Sequence, residues 1–198
     1  MRKVILEECV TLDGYAADED GNLDFFPQSD TDKFSDRDQL EFLDTVDTIL
    51  LGRKTYELFV GFWPTATTDK EIIADRLNEL PKIVFSNTLS EAPWGKWPPA
   101  RVVGGDPVDA IRQLKAQPGK HMVLWGSISL AQTLIAADMI DEYHLQLCPM
   151  ILGGGRTMFP DLARVANLQR VGVRTYDTGV VFLHYEPPGR RAIGETRA

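Results

Sequence analysis

The chain has little of what would tie it to a membrane, a nucleic acid or an oxidising compartment. Among its 198 residues no apolar run approaches the roughly 18 needed for a membrane span. The opening "MRKVILEECVTLDG" meets two acids after only three apolar residues, unlike a signal peptide. Positive charge is scarce: 21 Lys and Arg face 29 Asp and Glu, a net charge of -8. Nucleic acid and anionic membrane surfaces need a cationic footprint, so neither is an expected partner. Cys9 and Cys148 are the only cysteines, each in a strand-like segment. Buried free thiols in a reducing cytoplasm are expected, although a pair leaves one disulfide open. His121, His144 and His184 are scattered without metal-ligand spacing; each reads as structural, and no metal site is expected. The dinucleotide motif G-x-G-x-x-G has no counterpart, since "GGGRTMF" at 153–159 follows a strand without a clear helix after it.

What is present is ordinary globular composition, 43% hydrophobic and 25% charged, at a length suited to one domain. Val4 to Val10 reads as a β-branched strand, and a loop rich in Asp and Gly runs on to Leu23. Leu40, Leu43 and Val46 recur at helical spacing and predict a helix from about Ser35 to Asp44. Thr48 to Leu51 is a short apolar strand, a helix follows it, and residues 69–79 read as another helix ended by Pro81. "KIVFS", "RVV" and "HMVLW" read as strands, and "PVDAIRQLKA" and "ISLAQTLIAA" as helices. "EYHLQLCP" alternates, and "QRVGVRTYDTGVVFLHYE" reads as two strands joined at Asp177-Thr178-Gly179. Strand and helix alternation predicts a three-layer α/β/α domain over residues 1–186, its mostly parallel central sheet extended by a C-terminal antiparallel hairpin. Residues 187–198 have little to bury and are expected to fray. "PWGKWPPA" places Trp94 and Trp97 among prolines, as a lid, a dimer contact or a packed surface loop.

In such sheets ligands sit outside the carboxyl ends of the strands, where helix N-termini offer unpaired N–H groups. Three strand ends have suitable chemistry. In "ILLGRKTYELF", Gly52 permits close approach, Thr55 can cap the helix or bond a phosphate, and the forked guanidinium of Arg53 suits a phosphate monoester. Ser86 and Asn87 follow the second strand, and Gly126 and Ser127 the third, with Ser127 as an N-cap. Taken singly, each is also ordinary turn chemistry.

Together, "VTLDGYAADEDGNLDFF", "DTILLGRKTYELF", "KIVFSNTL" and "VLWGSISLAQTLIAADMIDEYHLQLCPMILGGGRTMF" resemble, in order, the dihydrofolate-reductase-like superfamily. The resemblance spans roughly residues 3 to 185. It is to the branch related to the C-terminal reductase half of the bifunctional riboflavin-biosynthesis deaminase/reductase. It implies a reductase that binds NADPH along the strand ends. Arg53 would face the 2′-phosphate with Ser86 and Asn87 nearby. Lys54 lies in the same segment, Thr55 would meet the phosphates, and Gly126, Ser127 and Ile128 would meet the pyrophosphate. The loop carrying Asp13 and Asp24 would cover the nicotinamide and substrate. Asp36, by its distance before Gly52, takes the place of the carboxylate that bonds the pterin ring in folate reductases, although Asp32 and Asp38 crowd the same helix start. The arginines that hold a ribose phosphate in the riboflavin enzyme are not matched in residues 13 to 45, where Arg37 stands alone, and no zinc-binding deaminase motif occurs.

The reading is therefore an NADPH-dependent reductase of a pyrimidine or pteridine-like ring, most like 5-amino-6-(5-phosphoribosylamino)uracil reductase. Dihydrofolate reduction, or NADPH binding without catalysis, are the alternatives. Sheet edges at the C-terminal strands, together with the resemblance, imply a homodimer.

Overall fold

A computed structural model describes residues 2–23, 36–159, 161 and 165–189. In chain order its elements are β1 (Val4–Thr11), β2 (Tyr15–Ala17), α1 (Asp36–Thr45), β3 (Val46–Gly52), α2 (Arg53–Val60), α3 (Ala74–Glu79), β4 (Lys82–Phe85), β5 (Ala92–Trp94) and β6 (Trp97–Val103). There follow α4 (Pro107–Ala116), β7 (His121–Trp125), α5 (Ile128–Ala136), β8 (Glu142–Cys148), β9 (Arg156–Thr157), β10 (Gln169–Thr175) and β11 (Val181–Glu186). Among the described residues one sheet runs β10-β11-β8-β1-β7-β3-β4-β6-β5, and β2 pairs with β9 apart from it. Every pairing from β8 across to β6 is parallel. Antiparallel strands close both edges: β11 and β10 beyond β8, and β5 beyond β6.

The three layers follow from strand periodicity. Successive side chains point to opposite faces, so Val4, Leu6, Leu50, Met122 and Leu124 pack under α4 and α5, meeting Ile111, Leu130 and Leu134. Ile5, Ile49, Leu51 and Val123 face the other way, onto Leu43 of α1, Tyr56 of α2 and Leu77 of α3. A strand buried on both faces needs apolar residues throughout, which is why "TILL" shows no alternation. Each such side chain contributes about 1.5–3 kcal/mol by leaving water.

Three local expectations change. Val46 opens β3 instead of continuing α1, because the helix stops at Thr45, whose hydroxyl donates back to the Phe42 carbonyl at 2.7 Å. The helix expected over 69–79 begins only at Ala74, because Lys70 and Glu71 both donate to the Thr67 carbonyl and make a tight turn. "PWGKWPPA" is the hairpin between β5 and β6. Trp94 is 1% exposed there and donates its indole N–H to Asn78 Oδ1 at 2.6 Å, with Lys82 Nζ 4.7 Å from its ring centre. Pro98 and Pro99 are tolerated because β6 meets β4 only from Arg101 onward.

Among the described residues no helix is long and apolar enough to cross a membrane. Asp24 and Asp32 lie outside the described residues, as do residues 190–198 of the expected tail.

Candidate functional site

A cleft of about 1160 Å³ runs along the carboxyl ends of β1, β3, β4 and β7. Gly52, Arg53, Lys54, Thr55, Ser86, Asn87, Gly126, Ser127 and Ile128 all line it. Parallel strands deliver their loops to one edge, so three segments remote in sequence meet there.

The turn after β3 and the turn after β7 are interlocked. Gly52 N–H donates to Ser127 Oγ at 2.7 Å, and Ser127 N–H donates to Thr55 Oγ1 at 2.8 Å. The Ser127 hydroxyl itself donates to the Trp125 carbonyl at 2.9 Å. A Cβ on Gly52 would lie 3.3 Å from Ser127 Cβ, and one on Gly126, where φ is +54°, would lie 3.1 Å from the Thr55 side chain. Ser127 occupies the N-cap position of α5 in left-handed geometry, but its hydroxyl does not cap the helix, because it is engaged by β3. Neither α2 nor α5 has a side-chain cap, so their first N–H groups remain available to an anion.

Arg53 opens α2 with its side chain 47% exposed, held by an ion pair of 3.3 Å to Glu57 one turn along. The Ser86 hydroxyl accepts from the N–H groups of Thr88 and Leu89, and Asn87 Oδ1 accepts from Gly105 N–H at 2.7 Å. These side chains shape the mouth of the cleft by fixing its turns.

Deeper in, β1 contributes two acids that local sequence reading treated as strand residues. Glu7, 5% exposed, accepts from the Trp125 indole at 2.6 Å and from Gln39 Nε2 at 3.0 Å, which joins α1, β1 and β7 at the cleft floor. Glu8 also lines the cleft, and burial pushes its carboxyl up to about 8 despite the N–H groups of Cys9 and Gly126, which favour the charged form. The signal was in the sequence: consecutive acids inside "VILEECV" lie in a strand covered by other elements, and acids drawn out of water need partners or a proton.

Asp13 does not line the cleft. Its carboxylate accepts from the Thr11 hydroxyl at 2.6 Å and from the N–H groups of Leu152 and Gly153 at 3.1 and 2.7 Å. The Thr11 hydroxyl, chief among these donors, lowers its pKa to about 2. Asp13 thus ties the end of β1 to the glycine-rich loop, and β2–β9 pairing continues that tie. The same loop then brings Asp20, Asn22 and Arg156 to the cleft wall. Asp36 is the first residue of α1, and its side chain lies outside the described set.

The family model of the RibD C-terminal domain matches residues 2–182. The chain belongs to that family. Across this RibD C-terminal-domain protein, 187 residues are 33% identical to the Bacillus subtilis (strain 168) protein YyaP, itself uncharacterized, covering 93% of this chain and 94% of YyaP. Solved structures share the fold at lower identity. A riboflavin-biosynthesis-type protein from Shewanella sp. PV-4 aligns at TM-score 0.76 and 24% identity, over 94% of this chain and 99% of that one. A deaminase/5-amino-6-(5-phosphoribosylamino)uracil reductase from Thermotoga maritima aligns at TM-score 0.64 and 20% identity, over 94% of this chain and 56% of its own. Dihydrofolate reductase from Enterococcus faecalis, solved with NADP(H), aligns at TM-score 0.59 and 17% identity, over 94% and 96%. The RibD C-terminal family is one of reductase domains, and the architecture is dihydrofolate-reductase-like.

Proposed function

We propose that this domain is an NADPH-dependent reductase of a pyrimidine or pteridine-like ring, most like 5-amino-6-(5-phosphoribosylamino)uracil reductase. One observation carries the reading: two uncapped helix N-termini, locked to each other through Gly52, Thr55 and Ser127, open on a cleft with Arg53 at its mouth. Such a pair of helix starts suits two linked phosphates, and a guanidinium suits a third, terminal one. Arg53 would hold the 2′-phosphate beside Ser86 and Asn87, while Gly126, Ser127 and Ile128 would hold the pyrophosphate and Lys54 would add charge.

When bound, NADPH supplies the hydride. The chain's part is to seat the acceptor ring and to hold a proton beside it. Glu7, Gln39, Phe59 and Trp125 give the ring a polar edge and aromatic walls. Two carboxyls can hold the proton. Glu8 remains protonated at neutral pH, and Asp36 stands at the start of the helix that carries Gln39. Substrate contact by Asp13 is replaced in this reading by its hold on the glycine-rich loop, and Asp24, outside the described residues, stays a substrate candidate. The exposed Val171 and Val173 on edge strand β10 support a homodimer, which light scattering would read as twice the chain mass.

The deciding experiment follows nicotinamide absorbance with NADPH and a panel of pyrimidine and pterin substrates. Turnover is expected, NADPH is expected to bind at least tenfold more tightly than NADH, and Arg53→Ala is expected to erase that difference. Equal binding of both cofactors would remove Arg53 from the 2′-phosphate, and binding without turnover would reduce the protein to a nucleotide binder. Asp36→Asn or Glu8→Gln, whichever is the proton source, should slow hydride transfer about 10²-fold with NADPH affinity kept.

A further inference from the structure

Away from the cleft, on the sheet face beneath α1, the ladder brings together two histidines that sequence leaves far apart. His144 of β8 and His184 of β11 are direct partners in the antiparallel register. Glu142, two residues before His144, shares its face by the two-residue period of a strand. Each of the three side chains offers one ligand atom, and these atoms all lie within 4.8 Å of one another. Glu142 Oε2 lies 3.2 Å from His144 Nε2 and 3.1 Å from His184 Nε2.

We propose that Glu142, His144 and His184 form a binding site for a divalent transition metal of the zinc class. Zinc bonds of about 2.0–2.2 Å set tetrahedral ligand atoms about 3.3 Å apart, close to the two carboxylate–imidazole spacings of 3.2 and 3.1 Å. His144 Nε2 is hydrogen-bonded to Glu142 Oε2, but hydrogen-bond geometry does not extend to His184. His184 Nε2 is buried and has no hydrogen-bond partner although Oε2 is 3.1 Å away, which leaves its ring nitrogen open to a shared ion. Two imidazoles and one carboxylate suit zinc, cobalt or nickel and disfavour calcium and magnesium, which prefer oxygen.

The surroundings supply support for the ligands. Lys3 Nζ donates to Glu142 Oε1 at 2.6 Å and reaches Glu186 at 3.3 Å, leaving Oε2 turned to the histidines. The site thus sets two acidic side chains, Glu142 and Glu186, against the one basic Lys3. Phe42 and Phe182 stand with ring centres 5.2 and 5.3 Å from that of His144 and keep its surroundings apolar. His184 is the most open of the three side chains, 21% exposed. The metal would cross-link β8, the last parallel strand, to β11, the first antiparallel one.

The test uses untagged full-length protein stripped with a chelator and titrated calorimetrically with ZnCl₂, without nucleotide or substrate. One zinc per chain is expected, with a rise in melting temperature and, for cobalt, the visible absorption of a four-coordinate ion. His184→Ala should lose stoichiometric binding while keeping its circular dichroism. Should that variant misfold, His184→Gln at the same position serves. His121→Ala is the control and should bind normally, because His121 Nδ1 accepts from the Lys3 N–H instead of facing the cluster. No stoichiometric zinc in the native chain, or zinc retained without His184, overturns the site. Equal loss in His121→Ala overturns the assignment of ligands. None of these readouts depends on turnover, so they stand or fall apart from the reductase reading.

Discussion

Glu8 and Glu142 sit on neighbouring strands of one sheet, Glu8 paired with Leu145 and Glu142 with Ile5, and their carboxyls are driven in opposite directions. Glu8 faces the cleft with two backbone N–H groups for partners, and burial wins, pushing it up to about 8. Glu142 is buried too, and burial alone would raise it. His144, His184 and Lys3 together outweigh that effect and hold it well below the usual carboxylate range. Partners bearing or able to bear charge make the difference, not depth. The cleft works with backbone dipoles and hydroxyls around a carboxyl that keeps its proton, whereas the β8–β11 face works with imidazoles around a carboxylate that has lost one.

The strongest way to break this contrast is to remove the acid at Glu8. A folded pKa raised above the unfolded value means that the unfolded chain releases its proton first, so the cost of burying Glu8 is absent below about pH 4.5 and grows as pH rises toward 8. Glu8→Gln should therefore be more stable than the native chain at pH 8 by roughly 4 kcal/mol, each pKa unit being worth about 1.4 kcal/mol, and the gap should close by pH 4. Denaturant melts at the two pH values check it, and a gap independent of pH would place Glu8 among ordinary surface acids.

Next in size is the separation of the two regions. Gly126→Val forces a side chain against Thr55 at a left-handed position, and should weaken NADPH binding about 10²-fold while leaving zinc stoichiometry unchanged. Loss of both would mean that the cleft and the β8–β11 face are not independent. The smallest effect sharpens the cleft itself. Glu57→Gln frees Arg53 from a half-exposed ion pair, and should tighten NADPH binding about twofold to threefold, the scale of such pairs, with NADH unaffected.

The same two regions explain what was legible in the sequence. "LLGRKT", "FSN" and "WGS" are contiguous, and a strand ending in Gly or Ser before a helix announces a turn at the ligand edge, so the cleft's rim could be named residue by residue. What could not be read was which hydroxyls would be engaged by neighbouring turns, since the Ser127–Gly52 bond depends on β7 lying beside β3. Glu7 and Glu8 were hidden by their setting: in a strand they count as alternation, and the side chains that donate to Glu7 come from α1 and β7. His144 and His184 were judged by sequence spacing, yet a ladder pairs residues by register. Their meeting depends on where the hairpin after Thr175 turns back, which local chemistry fixes only approximately. Short edge strands β2, β5 and β9 carried too few residues for a periodic signal.

The interlocked turns also bear on how this cleft can be inherited. Gly52, Thr55, Gly126 and Ser127 each limit another's size or satisfy another's hydrogen bond. A lineage cannot exchange one of them at leisure: enlarging Gly126 crowds Thr55, and shortening Thr55 leaves the Ser127 N–H unanswered. The four positions thus form a single heritable character distributed over two separate segments. Arg53, whose ion pair is to Glu57 on its own helix, stands outside this set of mutual constraints, so a change there leaves the interlocked turns intact.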